Sequence, residues 1–192
     1  AAAGRLRPGG DAARGDAAVR GDAALMLDLP GAEELGLAPA LEVFAALRRD
    51  LEQCMTFRGE AGSSCAEYQL ASYAPGSLGY GRHRDALPSA GSEEPPLDEG
   101  GVGAQRLVTV ILYGCEGGPG GAPWDGEAFG GRLRLWLSAA AQCPDDPAMP
   151  LVVEPLGLVV FLSGAVDHEV EAVTPAAAAA GASRAALTCW LS

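Results

Sequence analysis

The hydrophobic pattern of the chain changes period once. From Leu37, apolar residues recur at Leu41, Phe44, Leu47, Leu51 and Met55, which lines one face of an amphipathic helix and predicts a helical element over residues 37–55. Beyond it the pattern shortens to β-like runs at residues 68–73, 107–113, 132–137, 151–153, 158–162 and 185–191, separated by Gly, Pro and acidic loops. Many short strands after a single helix imply a sandwich or barrel-like jelly roll with the helix buttressing a sheet. Residues 1–24, rich in Ala, Gly, Arg and Asp and without hydrophobic periodicity, read as a mobile arm or a long hairpin loop. The remainder, 25–192, reads as one domain.

Two segments interrupt the strand pattern as insertions. Residues 88–105 place Glu93, Glu94, Asp98 and Glu99 among Ser, Gly and Pro, a composition that stays solvated. Residues 174–183 hold five consecutive alanines, Ala176 to Ala180, followed by Gly181. Helix propensity favours one turn there, but the run is too short to be stable alone. Both are expected to be expanded surface loops.

Bulk properties narrow the function. The chain has 192 residues, enough for one sizeable core, and its 13 Lys plus Arg against 25 Asp plus Glu give a formal net charge of −12. That charge repels nucleic acid and anionic membrane surfaces. No apolar stretch reaches the roughly 20 residues of a membrane span, and no signal-peptide core opens the chain. Five cysteines, an odd number without CxxC spacing, suggest reduced thiols and a cytoplasmic or nuclear protein. The opening Ala1-Ala2-Ala3-Gly4 suggests a fragment from which a targeting signal could be missing.

Only two histidines occur, one in His83-Arg84-Asp85 and the other in His168-Glu169-Val170. Residues i and i+2 of a strand share a face, so His83 and Asp85 can bind one ion, with His168 delivered by a second strand. Two imidazoles and a carboxylate with open positions form the facial triad of non-heme Fe(II) oxygenases. The alternative makes His83 a surface loop histidine and His168 a hydrogen-bonded core one. Downstream, Arg184, Ala186, Thr188 and Trp190 share one strand face. A guanidinium turned into a jelly roll needs an anion, and a dicarboxylate such as 2-oxoglutarate would chelate iron at one end and meet Arg184 at the other. The alternative there is an exposed strand-end arginine. Tyr113, on one face with Thr109 and Ile111, could hydrogen-bond the same carboxylate or simply be core. Gly130-Gly131 marks a turn into a strand where positive φ or close backbone approach is needed.

These residues carry a resemblance. The run Tyr73-Ala-Pro-Gly-Ser-Leu-Gly-Tyr80-Gly-Arg-His83-Arg-Asp85, then Arg106-Leu-Val-Thr-Val-Ile-Leu-Tyr113, Trp124, Gly130-Gly131-Arg-Leu133, His168-Glu-Val170 and Arg184 to Trp190 resembles the prolyl 4-hydroxylase superfamily of Fe(II)/2-oxoglutarate dioxygenases, in order over residues 68–192. Arginine as the distal carboxylate partner looks more like the hypoxia-inducible-factor prolyl hydroxylase (egl-nine) branch. A weaker likeness reaches Arg20-Gly21-Asp22, similar to the stretch opening the mobile β-hairpin over that branch's active site. A second Arg-Gly-Asp at residues 14–16 leaves the register open, and Met26 stands where that branch has tryptophan.

The resemblance implies a mainly β fold with a flanking helix around a double-stranded β-helix, the jelly roll of cupin-like proteins. It implies iron ligands His83, Asp85 and His168, with Arg184 and Tyr113 on the distal carboxylate of 2-oxoglutarate. Tyr73, Ile111, Leu133, Val170, Thr188 and Trp190 would line the cosubstrate pocket. Arg106 and Asp22 would pair near the substrate. The implied cofactor and cosubstrates are Fe(II), 2-oxoglutarate and O2, with ascorbate as reductant, and the implied activity is hydroxylation of a prolyl residue in a protein or peptide, with oxygen sensing as a role. Two other readings remain open. One is a 2-oxoglutarate oxygenase with a non-prolyl substrate, and the other a degenerate, non-catalytic jelly roll that binds a partner.

Overall fold

A computed structural model of the protein describes residues 7–8, 20–57, 66–86, 106–137 and 149–192. The acidic insertion at 88–105 and most of residues 1–24 lie outside the described residues. Within them run β1 (Arg7–Pro8), β2 (Ala23–Leu27), α1 (Leu29–Glu34), α2 (Ala38–Leu51), β3 (Ala66–Tyr73), β4 (Tyr80–His83) and β5 (Val108–Tyr113). There follow α3 (Gly126–Phe129), β6 (Leu133–Trp136), β7 (Leu151–Val153), β8 (Leu158–Leu162), β9 (Asp167–Val170), α4 (Ala176–Ala179) and β10 (Arg184–Leu191).

Two antiparallel sheets share these strands. The larger has the order β1-β2-β3-β10-β5-β8 and the smaller β4-β9-β6-β7. From β4 onward the chain repeatedly crosses between them, which builds the expected jelly roll. The crossing also brings the ends of β4, β5, β8 and β9 to one place. Five of the runs marked by hydrophobic alternation begin and end within two residues of the observed strands, and the 151–153 run coincides with β7. Strands β4 and β9 carry too many polar or small residues to stand out by hydropathy, and β2 is an apolar run without alternation that follows Asp22.

Alternation assigns each strand two jobs. On the outer face of the larger sheet, Tyr68, Val108, Val110, Leu187, Cys189 and Leu191 join Phe44 and Phe57 in one apolar cluster, with Leu41, Leu47, Leu51 and Met55 packed against it. Phe44 is 1% exposed and stacks on Tyr68 at 6.1 Å; burying such a side chain is worth about 2–3 kcal/mol. This interface, more than propensity, holds α2, which lacks a side-chain N-cap. The helix stops at Leu51, and the remainder of the predicted 37–55 span is a closing turn in which the amides of Cys54 and Met55 both donate to Leu51 O.

On the inner side, Ala71, Tyr73, Ile111, Leu133, Leu135, Phe161, Val166, Val170 and Ala186 form the second cluster. Ala177 and Ala182 belong to it as well, both buried. The alanine segment thus lies at the surface with Ala176, Ala178 and Ala179 exposed, but as the short turn α4 that anchors through Ala177, which supplies the tertiary support a single turn needs. Among the described residues no helix is long and apolar enough to cross a membrane.

Candidate metal centre and cosubstrate pocket

The cross-strand pair His83↔His168 joins β4 to β9 and sets the two imidazoles 4.2 Å apart, centroid to centroid. Asp85 lies beyond the end of β4, in a bend, so the carboxylate reaches the histidines by a turn of the chain and not from a shared strand face. His83 Nε2 is 3.6 Å from Asp85 Oδ1, and His168 Nε2 is 3.7 Å from Asp85 Oδ2. One donor atom from each of the three residues lies within 4.8 Å of the others. Such separations are too long for direct hydrogen bonds and suit convergence on one ion.

The second ring nitrogen of each histidine settles its tautomer. His83 Nδ1 is 2.8 Å from Gly81 O and His168 Nδ1 is 3.4 Å from Val166 O. A carbonyl only accepts, so each neutral ring donates through Nδ1 and keeps a lone pair on Nε2, toward the centre. His168 is 4% exposed. Its burial, reinforced by His83 and opposed by Asp85, pushes its pKa down to about 4, so the ring is neutral and able to ligate at pH 7. Burial would raise the Asp85 carboxyl, but the His83 contact, the His168 ring and the Thr109 hydroxyl hold it well below the usual carboxylate range. Tyr80 stacks on His83 at 3.8 Å and Phe161 packs on His168 at 4.8 Å.

Arg184 opens β10 on the inner face and is 2% exposed, which rejects the strand-end alternative. Its Nε donates to Gly131 O at 2.7 Å. The guanidinium sits 4.2 Å from the Tyr73 ring centroid and 5.4 Å from that of Tyr113. Among the described residues, Arg184 Nη1 and Tyr113 Oη are buried without hydrogen-bond partners. Burial pushes the Tyr113 phenol up to about 12 against the pull of Arg184, so it stays a donor. An unpaired buried cation beside an unpaired buried donor is costly, and one carboxylate placed between them would satisfy both. Gly131 makes the arrangement possible: at φ +69°, a Cβ there would lie 2.8 Å from Arg184 Cδ.

Ile111, Leu133 and Val170 belong to the same inner cluster as Tyr73, with Tyr113 packed against it. Thr188 lies on β10 between Gln69 and Ile111, and Trp190 between Glu67 and Thr109. The expected pairing of Asp22 with Arg106 does not form. Both oxygens of Asp22 accept from Arg20, at 2.6 and 2.9 Å, and the Asp22 side chain is fully buried. Arg20 also donates to Gln69 Oε1 and lies over Tyr80 at 4.7 Å. Arg106 instead pairs with Glu67 at 2.6 Å and covers Trp190 at 3.8 Å. Asp22 is held by a residue two positions away, and Arg106, which precedes β5, has its own carboxylate on β3. Sequence reading passed over Thr109 and Ser163 as functional residues. The Thr109 hydroxyl meets Asp85 from β5, and the Ser163 hydroxyl, from the residue after β8, meets Thr109; no local spacing announces either contact.

A jelly roll carrying His-x-Asp, a distant histidine and an inward arginine defines a non-heme iron oxygenase that uses an oxo-acid cosubstrate. Residues 68–192 match the sequence profile of the 2OG-Fe(II) oxygenase superfamily, and the chain belongs to that family, whose members use Fe(II), 2-oxoglutarate and O2. The chain is similar to a solved prolyl-4-hydroxylase from Pseudomonas putida at 28% identity and a TM-score of 0.62, covering 98% of this chain and 78% of that one. A prolyl hydroxylase from Trichoplax adhaerens, solved in complex with a hypoxia inducible factor oxygen degradation domain peptide fragment, is 21% identical with a TM-score of 0.57, over 98% and 71% of the two chains. A structure of prolyl 4-hydroxylases from Phytophthora capsici is 22% identical with a TM-score of 0.51, over 88% and 47%. At those identities the last two speak for the fold alone. No curated protein sequence matches the chain.

Proposed function

We propose that this 2-oxoglutarate-dependent dioxygenase hydroxylates a prolyl residue of a protein or peptide, with His83, Asp85 and His168 holding Fe(II) and Arg184 and Tyr113 holding the distal carboxylate of 2-oxoglutarate. The observation that carries it is the pair Arg184 Nη1 and Tyr113 Oη on the larger sheet, buried without hydrogen-bond partners among the described residues, together with the three converging ligand atoms, two of whose residues lie on the smaller sheet. The Pseudomonas putida likeness, at 28% identity, supports proline as the target.

With both bound, the metal and cosubstrate supply the oxidising chemistry: one atom of O2 enters succinate as carbon dioxide leaves, and the other becomes the hydroxyl placed on a proline carbon. The chain's own residues hold the reactants. Arg184 fixes one end of the cosubstrate and thereby its oxo-acid end. Ile111, Leu133, Val170 and Phe161 keep water from the space between, and the Nδ1–H bonds of both histidines keep their lone pairs aimed inward. Arg106, held over Trp190, is proposed to touch the substrate. Ascorbate as reductant, an oxygen-responsive role and a cytoplasmic or nuclear location extend the proposal; support for the first two is the sequence resemblance, and for the third the charge and cysteine pattern.

The test incubates the chain with Fe(II), 2-oxoglutarate and proline-containing peptides, and measures succinate and hydroxyproline by mass spectrometry. Equal yields are expected, falling at least about 100-fold in His168→Ala. Retained activity in that variant would remove His168 from the ligand set. Succinate released only with a non-prolyl substrate would redirect the substrate assignment and leave the cosubstrate site standing.

A further inference from the structure

Asp85 needs an anchor that β4 does not provide, since the strand ends at His83. Two hydroxyls supply one. Thr109 Oγ1 donates to Asp85 Oδ2 at 2.7 Å, and Ser163 Oγ lies 2.8 Å from Thr109 Oγ1. Both hydroxyl residues are 0% exposed. A threonine hydroxyl has one proton, and Thr109 gives it to the carboxylate, so Ser163 must be the donor in the second bond. The relay therefore has one direction, Ser163 to Thr109 to Asp85. The backbone adds a second tether: Ala86 N donates to Ser163 O at 3.2 Å, and Ser163 N donates to Leu107 O at 3.0 Å. The residues after β8 and at the start of β5 thus grip the 85–86 bend by side chain and main chain together.

The relay occupies one carboxylate oxygen and leaves the other free. An ion held by a single atom from each of three residues keeps positions for the two oxygens of the oxo-acid and for dioxygen. A carboxylate that turned to bind through both oxygens would consume one of those positions. We infer that Thr109, braced by Ser163, is a positioning residue that holds Asp85 to one-oxygen ligation and so keeps the dioxygen position open. The inference rests on the assignment of His83, Asp85 and His168 as ligands.

Two readouts that need no turnover test it on the full chain under anaerobic conditions. Calorimetry with Fe(II) reads the aim of Asp85. Thr109→Val, similar in shape but without the hydroxyl, is expected to weaken Fe(II) binding about 10- to 100-fold, the usual range for losing a residue that orients a ligand. Thr109→Ser restores the donor and should stay within about threefold of wild type. Ser163→Ala should fall between, and it carries the test if the valine variant does not fold. Nitric oxide reads the open position: wild type loaded with Fe(II) and 2-oxoglutarate should give a strong nitrosyl electron paramagnetic resonance signal, and Thr109→Val less than about half of it per bound iron. Full signal and wild-type Fe(II) affinity in both Thr109→Val and Ser163→Ala overturn the inference. Wild-type protein that binds no Fe(II) overturns the ligand assignment beneath it.

Discussion

Replacing Arg184 by methionine separates the stability of the fold from the stability that the cosubstrate confers. The guanidinium is 2% exposed, and no described ion pair gives it a carboxylate. Its desolvation costs several kcal/mol. Against that stand the bond to Gly131 O, worth about 1.5–3 kcal/mol for a charged donor, and the Tyr73 and Tyr113 rings, each contributing up to about 2 kcal/mol when desolvated. These terms nearly cancel, so Arg184→Met should leave the chain without cosubstrate unchanged or more stable by about 1 kcal/mol. That corresponds to a rise in Tm of roughly 2–4 °C for a chain of this size. Wild type gains about 2.7 kcal/mol when 2-oxoglutarate stands at a hundred times its Kd, a rise of roughly 5–11 °C. Arg184→Met should gain almost none. Anaerobic differential scanning calorimetry of the iron-loaded proteins, with and without 2-oxoglutarate, measures both shifts. A variant that loses several kcal/mol without cosubstrate would mean that Arg184 already has an internal anion. One that keeps the cosubstrate-dependent rise would place the distal carboxylate elsewhere.

Gly131→Ala would add left-handed strain of about 1–2 kcal/mol at φ +69° and put a methyl 2.8 Å from Arg184 Cδ and 3.2 Å from Val173 Cγ2. The expected result is a KM for 2-oxoglutarate raised about tenfold with a smaller change in kcat, read from cosubstrate titrations of succinate release; an unchanged KM would show that Arg184 does not depend on this glycine. Burial would raise the Glu171 carboxyl, but hydrogen bonds from Arg132 and Arg134 hold it below its ordinary value of 4.5. A depressed carboxylate contributes stability above that value and loses it as pH falls through the folded pKa. Because Arg134 is 40% exposed, solvent screening limits the contribution to about 1 kcal/mol. Glu171→Gln should therefore lower Tm by roughly 2–4 °C at neutral pH and converge on wild type in acid, and a gap that persists in acid would assign the effect to packing.

Much of the site is written in local patterns. Apolar and β-branched runs expose β5, β8 and β10, so the face shared by Arg184, Ala186, Thr188 and Trp190 follows from alternation alone, although burial along β10 does not alternate, since Leu187, Cys189 and Leu191 on the other face are buried too. Gly130-Gly131 is legible because two adjacent glycines before a strand signal a backbone that no other residue adopts; both have positive φ. Contacts that depend on where distant elements end are not legible. Thr109 reaches Asp85 from β5, and Ser163, just beyond β8, reaches it only through Thr109. The pairing of Asp22 depends on which of two arginines the fold sets beside it, and the burial of Ala177 depends on an inner cluster that its alanine-rich neighbourhood does not reveal.

The metal ligands show why strand periodicity reaches the right residues by an incomplete route. Tyr80 pairs with Val170 and His83 with His168, so β4 spends three steps where β9 spends two. Strict alternation would send Tyr80 and His83 to opposite faces. The extra residue is a bulge, and it brings both inward, so that Tyr80 stacks on His83 and Arg20 in turn covers Tyr80. Regular strands then fix the positions of Arg184, Tyr113 and Thr109, while the bulge and the bend at Asp85 aim the ligands. A chain with a perfectly regular β4 would keep the His-x-Asp motif but leave Tyr80 facing away from His83, without the stack that braces the ring. The motif names the ligands, and the irregularity around it orients them toward one ion.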